Sequence, residues 1–479
     1  MKATIFALIG LAWLAVAGAA APAPPVGAQE KSRPNVLFIA VDDLNDWVGF
    51  LKTHPQVKTP NFDRLAQRSR VFTQTYCPAP ICNPCRTAVL TGLRPSTTGV
   101  YENSDPWARS PQALAAETLP ELFKRGGYTT LWSGKLFHTR PPAARVAAMW
   151  DDQRGADGGY GPAPSPRSLP KEIKRPGLFD FGIWDGPDTD FLDVINSNLT
   201  IERLAKKHDK PFFAVLGLYR PHMPWTAPRR FFDLYPEDGI AMPEVTGNEL
   251  DGLGVYARAL SANPVSHAQL RDGKFWRPLV RAYLASISFT DWNLGRVLDA
   301  LEAGPNASNT IVVIWADHGF HLGEKDHWAK YALWEKTTRT PMMIYLPGGV
   351  PGACTSPVSL LDLYPTLVEL CSLPAPKQLL EGHSLRPLLD DAQKPWPFPA
   401  LTTYRRNDHA VRTASWRYIR YSDGSEELYQ HPEDYHERTN LAAKPGHSEL
   451  KAQLADWFPK TNAAPVGGAA KRNDAGEAD

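Results

Sequence analysis

The chain has almost no net charge: 52 Lys and Arg stand against 51 Asp and Glu in 479 residues, leaving +1. That balance argues against nucleic acid as the main partner, because a protein that neutralises phosphates carries a basic excess. Long apolar runs are nearly absent as well. The exception, Ile5 to Ala20, follows Lys2 and leads into the small residues and prolines of Ala21 to Pro25. It is short for a membrane span, so residues 1–28 read as a secretory signal peptide, cut after Ala19 to Ala21 or after Ala28. No second such run follows. The mature chain is therefore expected to have no membrane partner and to be secreted or periplasmic. Cysteine is scarce: Cys77, Cys82, Cys85, Cys354 and Cys371. An odd number in an exported chain leaves at least one thiol unpaired or chemically special. Cys354 and Cys371 are candidates for a bond across a modest loop.

Proline and tryptophan, in contrast, are plentiful, at 45 and 15. They suggest long ordered loops and aromatic surfaces, which suit a pocketed enzyme better than a helical scaffold. The length allows a large core and more than one subdomain.

Continuous apolar, β-rich runs occur at Asn35 to Val41, Tyr128 to Trp132, Pro211 to Leu218, Ile311 to Trp315 and Met342 to Leu346. Such runs are what strands buried on both faces look like. Helical patterns lie between them: Asn61 to Ser69 with Asn61 as cap, about Pro84 to Leu90, Thr118 to Arg125 with Glu121 completing a capping box, and Asn196 to His208. A long helix follows, in which Val280, Leu284, Ile287, Leu294, Leu298 and Leu301 share one face, and then Ser359 to Ser372. This alternation predicts an α/β fold, a doubly wound, mostly parallel sheet with helices on both faces, spanning 33–372. Residues 151–178 read as a long surface insertion and a wall of the pocket, and 235–275 as irregular. Residues 373–460 change texture and predict a smaller C-terminal α+β subdomain. Residues 461–479 read as a disordered tail.

In doubly wound sheets ligands bind beyond the carboxyl ends of the strands, and the polar clusters lie there. Asp42-Asp43 and Asp317-His318 each follow a buried strand. Alone they read as a helix cap and a turn; together they predict a shared metal site of hard oxygen ligands, with Ca²⁺ expected ahead of Mg²⁺ or Zn²⁺. Lys135, His138 and His222 follow three more strand ends, and Lys330 lies in the loop after Asp317. Beside Arg86 and a divalent ion, these cationic groups suit a compact anion such as sulfate or phosphate. Cys82 sits where a helix begins, if Pro84 occupies its first turn, with Arg86 one turn further on. That is a place for an anion or a charged nucleophile, or simply for a buried structural cysteine.

Cys82-Asn83-Pro84-Cys85-Arg86 with Leu90-Thr91-Gly92 resembles the signature of the sulfatase family, whose cysteine is oxidised after translation to formylglycine. The resemblance covers nearly the whole mature chain, from Asn35-Val36-Leu37 to Glu427-Leu428-Tyr429 and Glu437-Arg438-Thr439-Asn440-Leu441. It is nearest to the iduronate-2-sulfatase branch, through Gly134-Lys135-Leu136-Phe137-His138, Arg220-Pro221-His222-Met223-Pro224, Asp317-His318-Gly319 with Leu322-Gly323-Glu324, and Trp328-Ala329-Lys330-Tyr331.

The resemblance implies an alkaline-phosphatase-like fold and a formylglycine hydrate at position 82 that attacks sulfur in line with the leaving alcohol. It implies one Ca²⁺ held by Asp42, Asp43, Asp317, His318 and residue 82. Arg86 and Lys135 would hold the sulfate, while His222 and Lys330 would act on the leaving-group side, with His222 as proton donor. His138 would take the proton that releases sulfate and restores the aldehyde. The implied partners are a sulfated glycan, with a uronate 2-O-sulfate as best match, and a formylglycine-generating enzyme for maturation. Cys85 departs from the family, which usually carries a small residue, most often serine, there. It opens competing Cys82–Cys85 or Cys77–Cys85 disulfides. Trp225, Arg229, Arg230, Arg405, Arg406, His409 and Trp416 are candidate substrate contacts. The alternative functions are a phosphate or phosphonate ester hydrolase of the same fold, and a sulfoglycan-binding protein if Cys82 stays a thiol.

Overall fold

The computed structural model describes residues 33–155, 159–175 and 177–467, so the signal-peptide reading lies outside the described residues. The main sheet has eight strands: β1 (Asn35–Val41), β2 (Arg70–Tyr76), β3 (Thr129–Gly134), β4 (Phe212–Leu218), β5 (Thr310–Ala316), β6 (Arg339–Tyr345), β7 (Gly352–Cys354) and β8 (Val358–Ser359). Their order is β7-β2-β6-β5-β1-β4-β3, with β8 beside β2. β1 lies inside the sheet, parallel to both β4 and β5. β6 runs antiparallel to both of its neighbours, so the sheet is mixed rather than uniformly parallel.

Every residue of β1 is buried, and successive side chains enter opposite layers. Leu37, Ile39 and Val41 pack on one face with the long helix Trp276–Ala303, whereas Val36, Phe38 and Ala40 pack on the other with Cys85, Val89 and Leu90. That two-sided burial is the physical reason for the unbroken apolar run. The Thr118–Glu121 capping box forms as the sequence predicts.

Several expectations are corrected. The helix Pro60–Ala66 is capped from outside: Thr59 is its N-cap residue, and Asp291 accepts from the backbone N–H of both Asn61 and Phe62, which leaves Asn61 inside the helix. Two short helices, Val255–Ser261 and His267–Asp272, interrupt the stretch read as irregular. All five cysteines are free thiols, so the Cys354–Cys371 bond and the competing bonds near Cys82 are not made. Cys371 faces Tyr128 and Cys354 faces Ser356. Residues 461–467, read as the start of a disordered tail, are instead bonded to the body of the protein, and the rest of that reading lies outside the described residues. Ala463 and Val466 donate backbone hydrogen bonds to Ser96 and Gly99 at 2.8 and 3.0 Å. No helix among the described residues is long and apolar enough to cross a membrane.

A separate antiparallel sheet, β9 (Ala400–Thr403), β10 (His409–Arg412), β11 (Trp416–Arg420) and β12 (Glu426–Gln430), builds the C-terminal part with the helix Ser448–Ala455. It grips the loop after β5. Arg417 donates to Leu333 O at 3.0 Å and to Glu335 Oε2 at 2.5 Å, Glu437 Oε2 accepts from Glu335 N at 2.8 Å, and Trp334 Nε1 donates to Glu427 Oε2 at 2.8 Å. The Glu427 and Glu437 motifs near the chain end are thus anchors for that loop.

Candidate active site

Four strand ends deliver the site. The β1 and β5 ladders continue for one residue, Asp42 N donating to Leu218 O and Asp317 N to Val41 O. They bring Asp42 and Asp317 side by side. Asp43 then turns off the strand with φ 57°, in the left-handed region, and its N–H binds Asp317 Oδ1 at 3.1 Å. Aspartate tolerates this backbone better than most residues, but such conformations still cost on the order of 1–3 kcal/mol and concentrate at functional sites. Lys135 reaches the cluster because Gly134 has φ 76° and crosses Gly217 closely; a Cβ at Gly134 would stand 2.0 Å from Gly217 O.

The helix Cys82–Thr91 begins with Cys82 itself, two residues before the expected start, and ends at Gly92, whose φ of 69° suits glycine. Asn83 locks its first turn to two loops. Its N–H is capped by Asn103 Oδ1 at 3.0 Å, its Nδ2 donates to Glu102 O and Asp105 O, and its Oδ1 accepts from Thr139. The last contact holds the loop carrying His138, which is half-buried, against the start of this helix.

Arg86 is a hub for the strand ends. Nε donates to Asp317 Oδ2 at 2.8 Å, Nη2 to Asp42 Oδ1 at 3.0 Å, and Nη1 to Lys135 O at 2.8 Å. Lys135 Nζ lies 2.5 Å from Asp42 Oδ2. Burial disfavours ionised Asp42, but Lys135 and Arg86 outweigh it and hold the carboxyl well below the usual range. Burial likewise opposes the charge on Lys135, and Asp42 more than restores it. Asp43 is held low against burial by His222 and Lys330.

Lys330 approaches from the loop after β5. Ala329 and Tyr331 on either side of it have φ of 69° and 79°, His327 Nε2 donates to Lys330 O at 2.6 Å, and Tyr331 N donates to Pro80 O at 3.1 Å. Nζ lies 2.9 Å from Asp43 Oδ1 and 2.9 Å from Cys82 Sγ. His318 Nδ1 faces Gly319 O at 3.0 Å, which places the proton there and turns the Nε2 lone pair toward Cys82 Sγ at 3.3 Å. Burial pushes His318 down and keeps it neutral, the form that ligates metals. His222 Nδ1 donates to Met223 O at 2.7 Å, and its Nε2 stands 3.7 Å from Asp43 Oδ2. Burial also raises the Cys82 thiol well above its ordinary value.

The predicted ligands therefore converge. Asp42, Asp43, Cys82 and His222 bring one ligand atom each within 4.8 Å of one another, and Cys82, Asp317 and His318 do the same. A third group, Glu335, His431 and Glu437, meets that distance, but Arg412 and Arg417 already neutralise its carboxylates.

The substrate candidates fare differently. Trp225 is fully buried among Phe179, Tyr283, Phe320 and Trp328 and touches no surface; it is a core residue. His409 is buried too, bonded to Thr403 and packed on Phe458. Arg229 and Arg230 pair with Asp185 and Asp188. Trp416 packs on His447. Arg406 donates to Asn462 O and holds the chain end. Arg405, with its side chain 46% exposed, pairs with Glu102 at 2.9 Å. The backbone oxygen of Glu102 binds Asn83, so Arg405 stands at the rim of the Cys82 site.

Sequence reasoning missed Tyr160. The 151–178 insertion turns it, between Gly159 and Gly161, onto the His222 ring with centroids 4.5 Å apart. An aromatic residue flanked by glycines in a loop read as a pocket wall was the available signal.

Residues 34–373 match the family model described as sulfatase, and residues 323–463 match the one described as N-sulphoglucosamine sulphohydrolase, C-terminal. The chain is 40% identical over 452 residues to a sulfatase of Formosa agariphila, covering 91% of this chain and 88% of that protein. It is 31% identical over 352 residues to the iduronate 2-sulfatase of Homo sapiens, covering 66% and 60%. A solved structure holding its substrate D-glucosamine-2-N,6-O-disulfate superposes with a TM-score of 0.71 at 20% identity, covering 89% of this chain and 96% of that one, and so shares the fold. A match of that extent, laid over a sheet whose strand ends converge on Cys82, makes the chain a member of the sulfatase family, the hydrolases of sulfuric esters.

Proposed function

We propose that this enzyme is exported and cleaves the sulfate ester of a sulfated carbohydrate, a uronate 2-O-sulfate in the first instance, using one Ca²⁺ and a formylglycine made from Cys82. The observation that carries the reading is the buried chemistry around Asp43. Its Oδ2 accepts no hydrogen bond among the described residues although it is wholly buried. A buried carboxylate oxygen without a hydrogen bond is costly, and a bound cation would offset that cost. Three carboxylates and a neutral imidazole with its lone pair turned inward form a donor set that fits a hard divalent ion. Asp42, Asp43, Asp317, His318 and residue 82 would hold it. Bound there, Ca²⁺ would supply positive charge that acidifies a hydroxyl and offsets charge building on sulfate. The formylglycine hydrate would supply the nucleophilic oxygen, which an unmodified thiol cannot release again as an aldehyde.

The remaining chemistry belongs to side chains in place. Arg86 and Lys135 stand at the oxygens of Asp42 and would neutralise sulfate from that side. Lys330, 2.9 Å from Asp43 Oδ1 and from Cys82 Sγ, would act on the leaving-group side. His222 donates from Nδ1 to Met223 O and, carrying a second proton at Nε2 as the imidazolium, would pass that proton to the departing alcohol and return to the neutral ring. His138 would accept the proton that frees sulfate. Arg405 offers a guanidinium fork at the rim for a uronate carboxylate once Glu102 yields it. The run Ile5 to Ala20 supports export.

The test combines the mass of the Cys82 peptide with sulfate release from defined sulfated disaccharides. Conversion to formylglycine and release that vanishes in Cys82→Ala are expected. Faster turnover of phosphate or phosphonate esters than of every sulfate ester would overturn the reading, and an unconverted, inactive but glycan-binding protein would make it a lectin-like relative.

A further inference from the structure

We infer that Tyr160 is a positioning residue for His222, set there by the 151–178 insertion so that the leaving alcohol receives its proton. The inference rests on the sulfatase reading above and adds a residue to it. The two rings stack with centroids 4.5 Å apart and an interplanar angle of 18°. The edge of Tyr160 is set at 83° against Tyr219, and Lys135 Nζ lies 5.5 Å from the Tyr160 centroid and 5.9 Å from that of Tyr219. Lys135 is anchored independently by Asp42 at 2.5 Å, so the contact that depends on Tyr160 is the one with His222.

A second set of contacts closes the same circuit through the backbone. Thr226 Oγ1 donates to Pro162 O, two residues beyond Tyr160. Arg220 binds Thr226 through Nε to its carbonyl and Nη2 to its hydroxyl, at 3.0 and 2.8 Å, and its Nη1 donates to His222 O at 3.1 Å. The insertion, the strap at Thr226 and the His222 turn thus form one unit. Within it the imidazole is held at Nδ1 by Met223 O and on one face by Tyr160. The stacked ring limits rocking of the imidazole about its Cβ–Cγ bond beyond what the Nδ1 hydrogen bond sets. Small errors in the aim of an acid cost rate, since proton transfer needs hydrogen-bond geometry.

The leaving group separates this role from simple packing. A sugar alcohol is a poor leaving group and needs the proton, whereas the phenolate of 4-nitrocatechol sulfate leaves without one. The experiment measures sulfate release from a 2-O-sulfated uronate disaccharide and from 4-nitrocatechol sulfate, for the formylglycine-converted wild type, Tyr160→Ala and Tyr160→Phe. Expected for Tyr160→Ala is a fall of about tenfold in kcat on the disaccharide, with KM changed little and the aryl ester cleaved near the wild-type rate. Tyr160→Phe, which keeps the ring, should restore the disaccharide rate. Equal losses on both esters, or none on either, would overturn the inference while leaving the sulfatase reading intact. A wild type that cleaves neither ester would overturn both, and retained aryl activity in Tyr160→Ala certifies its fold.

Discussion

Lys330 Nζ stands 2.9 Å from Cys82 Sγ at the first turn of the signature helix. It also lies 2.9 Å from Asp43 Oδ1, so one cation bridges the residue to be modified and an acid of the β1 end. Ala329 and Tyr331 on either side of Lys330 hold left-handed backbone, the kind of local strain that concentrates at functional sites. Lys330→Met should lower kcat/KM for a sulfate ester by about 10²–10³, the usual loss when one charge stabiliser of a buried reaction centre is removed. Steady-state kinetics measure it. A variant within twofold of the wild type, by this order of magnitude, would remove Lys330 from the chemistry.

Calcium should act on stability as well as on rate. Asp42, Asp43 and Asp317 are wholly buried, and Arg86, Lys135 and Lys330 compensate them only in part, since Asp43 Oδ2 takes no hydrogen bond among the described residues. A ligand bound only by the folded state at 100 times its Kd adds about 2.7 kcal/mol. Thermal unfolding with Ca²⁺ should therefore sit several degrees above unfolding in chelator. Asp317→Asn should erase the difference. Identical Tm values for the wild type in both buffers would refute the site.

Most of this centre was legible in the chain because its residues follow apolar runs of strands buried on both faces, and the parallel strands among them point their carboxyl ends at one place. Asp42, Lys135, His222 and Asp317 could be read on that rule. Trp225 was misread for a definite reason: it follows His222 closely in sequence, but its strand segment, Trp225–Pro228, turns back under Phe179 and Trp328, which no local pattern records. Tyr160 escaped because an insertion has no periodicity from which to read which way it folds. The order of residues 462–467 escaped because their composition is that of a tail, while their hydrogen bonds go to Ser96 and Gly99, hundreds of residues away.

The C-terminal sheet should make the enzyme acid-sensitive through Arg417. Glu335 is wholly buried. Burial works against its charge, but Arg412 and Arg417 hold it well below its ordinary value of 4.5, and Arg417 with His431 holds Glu437 low in the same way. A carboxylate depressed in the folded state stabilises fully above its unfolded pKa, and that contribution is lost as pH falls through the folded value. Below about pH 4.5, then, stability should drop by up to ~1.4 kcal/mol per pH unit for each carboxylate. Arg417→Met removes the counter-charge from both and should cost about 3–5 kcal/mol at neutral pH. Because Leu333 O and Glu335 are released together, activity should fall in the surviving folded fraction too. Denaturant melts between pH 7 and 3 check the slope; a pH-independent wild type would contradict it.

The chain end braces the same centre from the other side. Ala463 and Val466 bond to Ser96 and Gly99, Tyr101 OH donates to Ala463 O at 3.0 Å, and Arg406 holds Asn462 O. Tyr101 opens the loop whose Glu102, Asn103 and Asp105 hold Asn83, next to Cys82. Gly467 closes on Asp105 so tightly that a Cβ there would meet its carboxylate at 2.2 Å. Ending the chain after Lys460 removes these bonds, each contributing about 0.5–1.5 kcal/mol, and exposes the loop that fixes the helix start. The truncated enzyme should melt several degrees lower and lose kcat, because Asn83 sets the direction of residue 82. Arg406→Ala, which releases Asn462 O but keeps the backbone bonds of Ala463 and Val466, should show a smaller shift in the same direction. A truncation that lowers Tm but leaves kcat unchanged would show that the brace carries stability alone and that Asn83 holds its place without it.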